Sequence, residues 1–234
     1  MFFYRKCIII FFQNPDNTLT MIFAMELKII TIEDEIDKSS SVLKNKAKKV
    51  SFPLSTEDKQ IISSMQKILF KAEGVGLAAP QVNIGLSIAV VYIPESASLL
   101  REDVRAYSMH TMINPEYMPI NEDEIVSDFE GCYSVKSVYG KVPRYKSINL
   151  KYQNEDGVVI EQIVTDFYAR VVQHEIDHLN GILITDRLTP ECVQGTFAQM
   201  LPLRRAELSE DKRKHFDKLM KIKGIIIEDD KTDN

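Results

Sequence analysis

Apolar residues recur with different periods along the chain, and the periods mark its elements. Ile61, Met65, Ile68 and Leu69 repeat at helical steps, preceded by Ser55 and Asp58 at capping-box spacing and followed by Gly74 as a stop. This predicts a helix over 57–72. The run "LSIAVVYIP", closed by Pro94, is rich in branched residues and reads as a buried strand. "HTMINPEY" and "EDEIVSDFEGCYSV" read as further strands. "SINLKYQNEDGVVIEQIV" alternates at Ile148, Leu150 and Tyr152, turns at Asp156-Gly157 and resumes, which is the pattern of a hairpin.

A second helix is predicted over 166–179, ended by Asn180-Gly181. Phe167, Val171, His174 and His178 share one stripe of it; Tyr168, Val172, Glu175 and Leu179 share the next. Two adjacent stripes mean burial over much of the circumference. Two histidines and a glutamate on such a helix are costly unless paired or bound to something. A last helix is predicted after Ser209, carrying Phe216, Leu219, Met220 and Ile222, before the charged end "EDDKTDN".

Composition narrows the class. The 234 residues are 44% hydrophobic and 27% charged, enough for one globular core with small appendages. A net charge of -5 provides no basic field for nucleic acid, and no apolar run approaches a membrane span. Three cysteines, Cys7, Cys132 and Cys192, are too few and too odd for a disulfide framework and suit a reducing compartment, the cytoplasm. The start, "MFFYRKCIIIFFQNPDNTLT", has too short an apolar run and no small-residue cleavage site for a signal peptide. Residues 1–24 therefore read as an extension, either poorly ordered or upstream of a true start at Met21 or Met25. Asp37 to Val50 reads as a solvated surface segment.

The chemistry concentrates in "VVQHEIDHLNG". His174, Glu175 and His178 fit the H-E-x-x-H pattern, with the histidines one helical turn apart and able to converge on one ion. Glu175 is offset by about 100° on the helical wheel, beside the ion rather than at it, where it can manage protons. Two histidines leave a tetrahedral site half filled. Downstream, His215 sits in the charged "DKRKHFDK", and Glu191 and Glu207 belong to no motif. Upstream, Cys132 in "FEGCYSV" could complete a catalytic site of three protein ligands and one open position, although alone it reads as a small core residue.

Three blocks then stand in the order found in the peptide deformylases: "GVGLAAPQV" (Gly74 to Val82), "EGCYSV" (Glu130 to Val135) and "QHEIDHLNG" (Gln173 to Gly181). "INPE", "VPR" and "ARVVQHE" are lesser echoes, and the chain resembles that family from about residue 46 to 188. The resemblance implies Cys132 as third ligand with His174 and His178. It implies one divalent metal, Fe(II) in cells, with Zn(II), Ni(II) or Co(II) able to take its place in purified protein. The implied activity is hydrolysis of the N-formyl group from formyl-methionine of new proteins, with Glu175 moving the protons. Gln81, through its amide, and Tyr133, through its backbone N–H, would stabilise the formyl oxygen. Gly76 would be a backbone contact, and Val75, Phe167 and Val171 the methionine pocket. Taken singly, the glycines read as a stop and a turn, Gln81 as surface and the apolar trio as core.

The implied fold is α+β, with antiparallel strands packed around a central metal-binding helix. Residues 25–205 would form one catalytic domain, and 206–234 a C-terminal helix and acidic tail. The implied partners are formyl-methionyl peptides and nascent chains at the ribosome, with no nucleic acid bound directly and no membrane. Nothing in the sequence specifies the oligomeric state. Tyr133 stands where the family has leucine, and Lys136 near its usual proline, which predicts a looser loop there; Ser96 to Ser108 reads as an insertion. Two rival readings are a metallohydrolase of other amides and a non-catalytic peptide binder. The intact Gln81, Cys132, His174, Glu175 and His178 argue against the second.

Overall fold

Strand β4 (Ile88–Ile93) shows why the sheet is covered on both faces. Ile88 and Val90 join one apolar cluster while Ala89, Val91 and Ile93 join another. A strand buried on both sides reads as an unbroken apolar run rather than an alternation, as "LSIAVVYIP" does. The first cluster contains Ile61, Ile62, Met65 and Leu69 of the first helix, and the second contains Ala169, Val172, Ile176 and Leu179 of the helix predicted over 166–179.

The structure, a computed structural model, describes residues 27–35, 41–101, 104–225 and 227, together with the backbone of 7–13 and 19–25. In chain order the elements are β1 (Cys7–Gln13), β2 (Leu19–Met25), α1 (Thr56–Lys71), β3 (Gly76–Ala78), β4, β5 (Tyr107–Pro119), β6 (Ile125–Cys132), β7 (Val135–Tyr145), β8 (Ser147–Gln153) and β9 (Val159–Thr165). Then follow α2 (Asp166–Leu179), α3 (Ile184–Arg187), β10 (Gln194–Gly195), α4 (Phe197–Ala206) and α5 (Glu210–Ile222). A five-stranded sheet runs β3-β4-β5-β8-β9, and a three-stranded sheet runs β10-β7-β6. Every strand pairing is antiparallel, so the class is α+β.

Three helices lie within a residue of their expected positions. Helix α1 starts at the expected box: Ser55 Oγ accepts from Asp58 N at 3.1 Å and Asp58 Oδ2 accepts from Ser55 N at 3.0 Å. The hairpin of β8 and β9 forms with Ile148 opposite Val164 and Tyr152 opposite Ile160. One difference stands out. "EDEIVSDFEGCYSV" is not one strand: β6 ends at Cys132, and β7 leaves it with Val135 paired back to Cys132. The extension read over 1–24, either poorly ordered or upstream of a true start at Met21 or Met25, includes β1 and most of β2, which pair antiparallel with Cys7 opposite Met25. Both strands carry Ile and Phe, which suit a pleated strand better than coil.

Helix α2 is buried along most of its length and ends in a Schellman motif. Gly181 N–H donates to His178 O at 3.2 Å and Ile182 N–H to Asp177 O at 2.9 Å. Gly181 has φ +74°, and a Cβ there would lie 2.6 Å from Lys44 O. Gly181→Ala is therefore strained in both backbone and packing. We expect a loss of roughly 1–3 kcal/mol in urea unfolding. A change below about 0.5 kcal/mol would show that the helix end relaxes freely.

Candidate active site

Helix α2 carries His174, Glu175 and His178 on two neighbouring stripes, and the end of β6 brings Cys132 to them. One donor atom from each of Cys132, His174 and His178 lies within 4.8 Å of the other two. Cys132 Sγ is 3.2 Å from His178 Nε2. His174 Nδ1 is 2.9 Å from Glu130 Oε2, so Nδ1–H donates to the carboxylate and Nε2 is left free to bind a cation. Two weak donors face the sulfur, Ser134 N–H at 3.4 Å and Gln81 Nε2 at 3.7 Å. A thiolate and two imidazoles at this spacing fit a divalent transition metal.

Gln81 sits in the single helical turn Ala79–Val82 that follows β3, and its Oε1 accepts from Ala78 N at 2.8 Å. That bond turns the amide nitrogen toward the sulfur. Glu175 is 3% exposed, and its Oε2 has no hydrogen-bond partner among the described residues. Burial pushes its carboxyl up to about 7, against the lowering influence of His174 and Arg144. Strand β3 lies so close that a Cβ at Gly76 would fall on the Glu175 carboxyl. The glycine is thus needed for the close approach of backbone and acid, as well as for any contact with a ligand.

An open cavity of about 620 Å³ lies over these groups. It is lined by Val75, Gly76, Gln81, Cys132, Tyr133, Phe167, Val171, His174 and Glu175, so every site residue named from the sequence reaches it except His178. His178 is buried below, at 1% exposure. The phenol of Tyr133 points away from the three donors: its hydroxyl donates to Ala72 O at 2.9 Å, at the end of α1. Just after Tyr133, at the start of β7, Lys136 N and Ser137 N donate to Glu33 Oε1 at 2.9 and 3.0 Å.

Several contributors were not foreseen. Arg101, within the segment read as an insertion, lines the cavity with its guanidinium 4.7 Å from the centre of the Phe167 ring, and it donates to Phe129 O at 2.5 Å and to Asp128. Arg170 lies inside the echo "ARVVQHE" and donates to Glu130 Oε1 at 2.6 Å and Val142 O at 2.8 Å. Arg144 lies inside the echo "VPR", donates to Glu130 through Nε and Nη2, and reaches Asp177 through Nη1. Their positions in short motifs were visible, but their partners were not.

Comparison with known proteins places this geometry. Residues 27–194 match the family model described as polypeptide deformylase. Peptide deformylase 2 of Rickettsia conorii is 36% identical over 203 residues, covering 85% of this chain and 98% of that protein. The peptide deformylase of Fusobacterium nucleatum is 40% identical over 151 residues, 64% of this chain and 79% of that one. The Met-Ala-Ser-bound crystal structure of a class I type b peptide deformylase from Acinetobacter baumannii matches with a TM-score of 0.62 at 31% identity, covering 71% of this chain and 100% of that chain. The peptide deformylase from Thermotoga maritima matches with a TM-score of 0.58 at 34% identity, covering 70% and 98%. The matched residues include Cys132, His174, Glu175 and His178, and this chain belongs to the polypeptide deformylase family.

Proposed function

We propose that this chain removes the N-formyl group from the N-terminal formyl-methionine of newly made proteins and releases formate. The observation that carries the reading is the convergence of Cys132, His174 and His178 beside the buried, unpartnered carboxyl of Glu175. The site would take a divalent cation, whose Lewis acidity would serve the attacking water and the formyl oxygen. Cys132, His174 and His178 would hold it, and helix α2 is then the metal-binding helix at the centre of the fold. Fe(II) is the native metal in this reading, with Zn(II), Ni(II) or Co(II) compatible with the same thiolate and imidazoles.

The protein's own groups divide the remaining work. Glu175 Oε2 takes a proton from the attacking water and returns it to the departing amine, a task suited to a carboxyl raised toward neutrality. The Gln81 amide and the Tyr133 N–H donate to the formyl oxygen as its charge grows. Gly76, on the edge strand β3, offers backbone to an extended peptide, which would add to the sheet. Val75, Phe167 and Val171 receive the methionine side chain. Residues 25–205 act as the catalytic domain, and nascent chains at the ribosome in the cytoplasm are its natural substrates. Among the described residues no helix is long and apolar enough to cross a membrane.

The direct test is formate release from a formyl-Met tripeptide by protein purified anaerobically and loaded with Fe(II). Metal-dependent release supports the reading; cleavage of unformylated peptides without formate would favour a different metallohydrolase. Glu175→Gln should keep the metal and lose at least about 100-fold in kcat; full activity in that variant would remove Glu175 from the mechanism. Gly76→Ala should displace the same carboxyl and cost roughly 100-fold in kcat with wild-type metal content. Unchanged turnover would mean that β3 and α2 separate without effect on the acid.

A further inference from the structure

We infer that Glu33, which lies outside all three family blocks, is a positioning residue that aligns the two donors to the formyl oxygen. The inference rests on the deformylase reading above. Those donors belong to separate parts of the chain, Gln81 after β3 and Tyr133 in the turn between β6 and β7. The two elements meet directly through the weak contact of Gln81 Nε2 with Cys132 Sγ at 3.7 Å. The segment 30–33 joins them. Ile30 N–H donates to Gln81 O at 2.8 Å, and two residues on, Ile32 N–H donates to Ser134 O at 2.9 Å. The chain then turns, with Asp34 N–H on Thr31 O at 3.2 Å and Thr31 Oγ1 donating to Asp34 Oδ2 at 2.5 Å.

At that turn Glu33 Oε1 accepts three hydrogen bonds: Lys136 N at 2.9 Å, Ser137 N at 3.0 Å and Ser137 Oγ at 2.8 Å. The first two links of the segment are backbone to backbone and tolerate any side chain. The Glu33 link is made by a side chain, so it can be removed by one substitution. Cys132 pairs with Val135, leaving only Tyr133 and Ser134 to make the turn. A shift of residues 136–137 is therefore passed to the Tyr133 N–H through very little chain. Bonds from successive backbone N–H groups to a carboxylate are charge-assisted and directional. Because Glu33 is exposed, water can replace its bonds at little cost in stability. Its effect then falls on geometry, where small displacements matter most.

The experiment compares wild type, Glu33→Ala and Glu33→Gln, each loaded with Fe(II), on a formyl-Met tripeptide. Glu33→Ala should lower kcat roughly tenfold, because the donors act on charge that develops in the transition state, and leave KM within about twofold. Its metal content and melting temperature should match wild type. Glu33→Gln keeps an acceptor oxygen at the same reach and should recover most of the lost kcat. An unchanged kcat in Glu33→Ala overturns the inference. So does a loss that tracks metal content or melting temperature, or a glutamine variant as impaired as the alanine one. Absence of formate release from wild type would defeat the deformylase reading itself and this inference with it. Release by wild type with no effect of Glu33→Ala would defeat this inference alone.

Discussion

The carboxylate of Glu130 holds the site in register. It accepts from Arg144 Nε at 3.0 Å and Nη2 at 2.9 Å, from Arg170 Nη1 at 2.6 Å and from His174 Nδ1 at 2.9 Å. These bonds tie β6, β7 and α2 at one buried point. Burying an ion costs several kcal/mol unless its lone pairs are used, and here they are. Burial alone would raise this carboxyl, but the Arg144 charge and the hydrogen bonds from His174 and Arg144 outweigh it and hold it well below the usual carboxylate range. An ionised Glu130 keeps the proton of His174 on Nδ1 and the ligand lone pair on Nε2. Arg144 also reaches Asp177, which accepts from Arg187 Nη2 at 2.5 Å. Arg144 thus links Glu130 of β6 to Asp177, next to His178, while Glu130 itself holds His174 at the other end of that helical turn.

Close approach is the second requirement, and it explains the small residues. The helix that bears the acid must touch β3 closely enough to shield Glu175 from water, which is what lifts its carboxyl toward neutrality. Only a glycine at 76 permits that contact. On the far side of the sheet α1 packs against Leu77, Ile88 and Val90, so β3 and β4 cannot retreat from α2. The side chain of Gln173 adds a clamp at the other sheet, donating to Tyr145 O at 2.8 Å and accepting from Tyr145 N at 3.0 Å. The acid's environment is therefore a property of packing on three sides, with no single residue supplying it.

What could be read from the sequence was what is local or periodic. Helices α1, α2 and α5 announced themselves by apolar stripes and by Ser or Gly at their ends. The trio Cys132, His174 and His178 was found by block order, and the structure brings the three together. Strand β7 was missed because "VKSVYGKVPRY" mixes charge, glycine and proline; it is held by pairing with β6 and β10, which no local pattern reveals. The roles of Arg144 and Arg170 were missed for the same reason, since each meets Glu130 from a different element. At Lys136 the local pattern shows only a missing proline, while the bond from its N–H goes to a carboxylate distant in sequence, Glu33.

The family departures sort by what they touch. At 133 the ring of tyrosine lies against Gly74, and its hydroxyl satisfies Ala72 O, one of the carbonyls that the end of α1 leaves unpaired. The side chain is thus spent on capping a helix, while the backbone N–H of the same residue stays with the turn. Arg101 stacks on Phe167 and is anchored by Asp128 and Phe129 O. Arg204 Nη2 holds the neighbouring Leu100 O at 2.8 Å, and Lys212 holds Arg101 O, so α4 and α5 brace this wall. Neither departure contacts the thiolate, the imidazoles or Glu175. Both residues line the cavity walls.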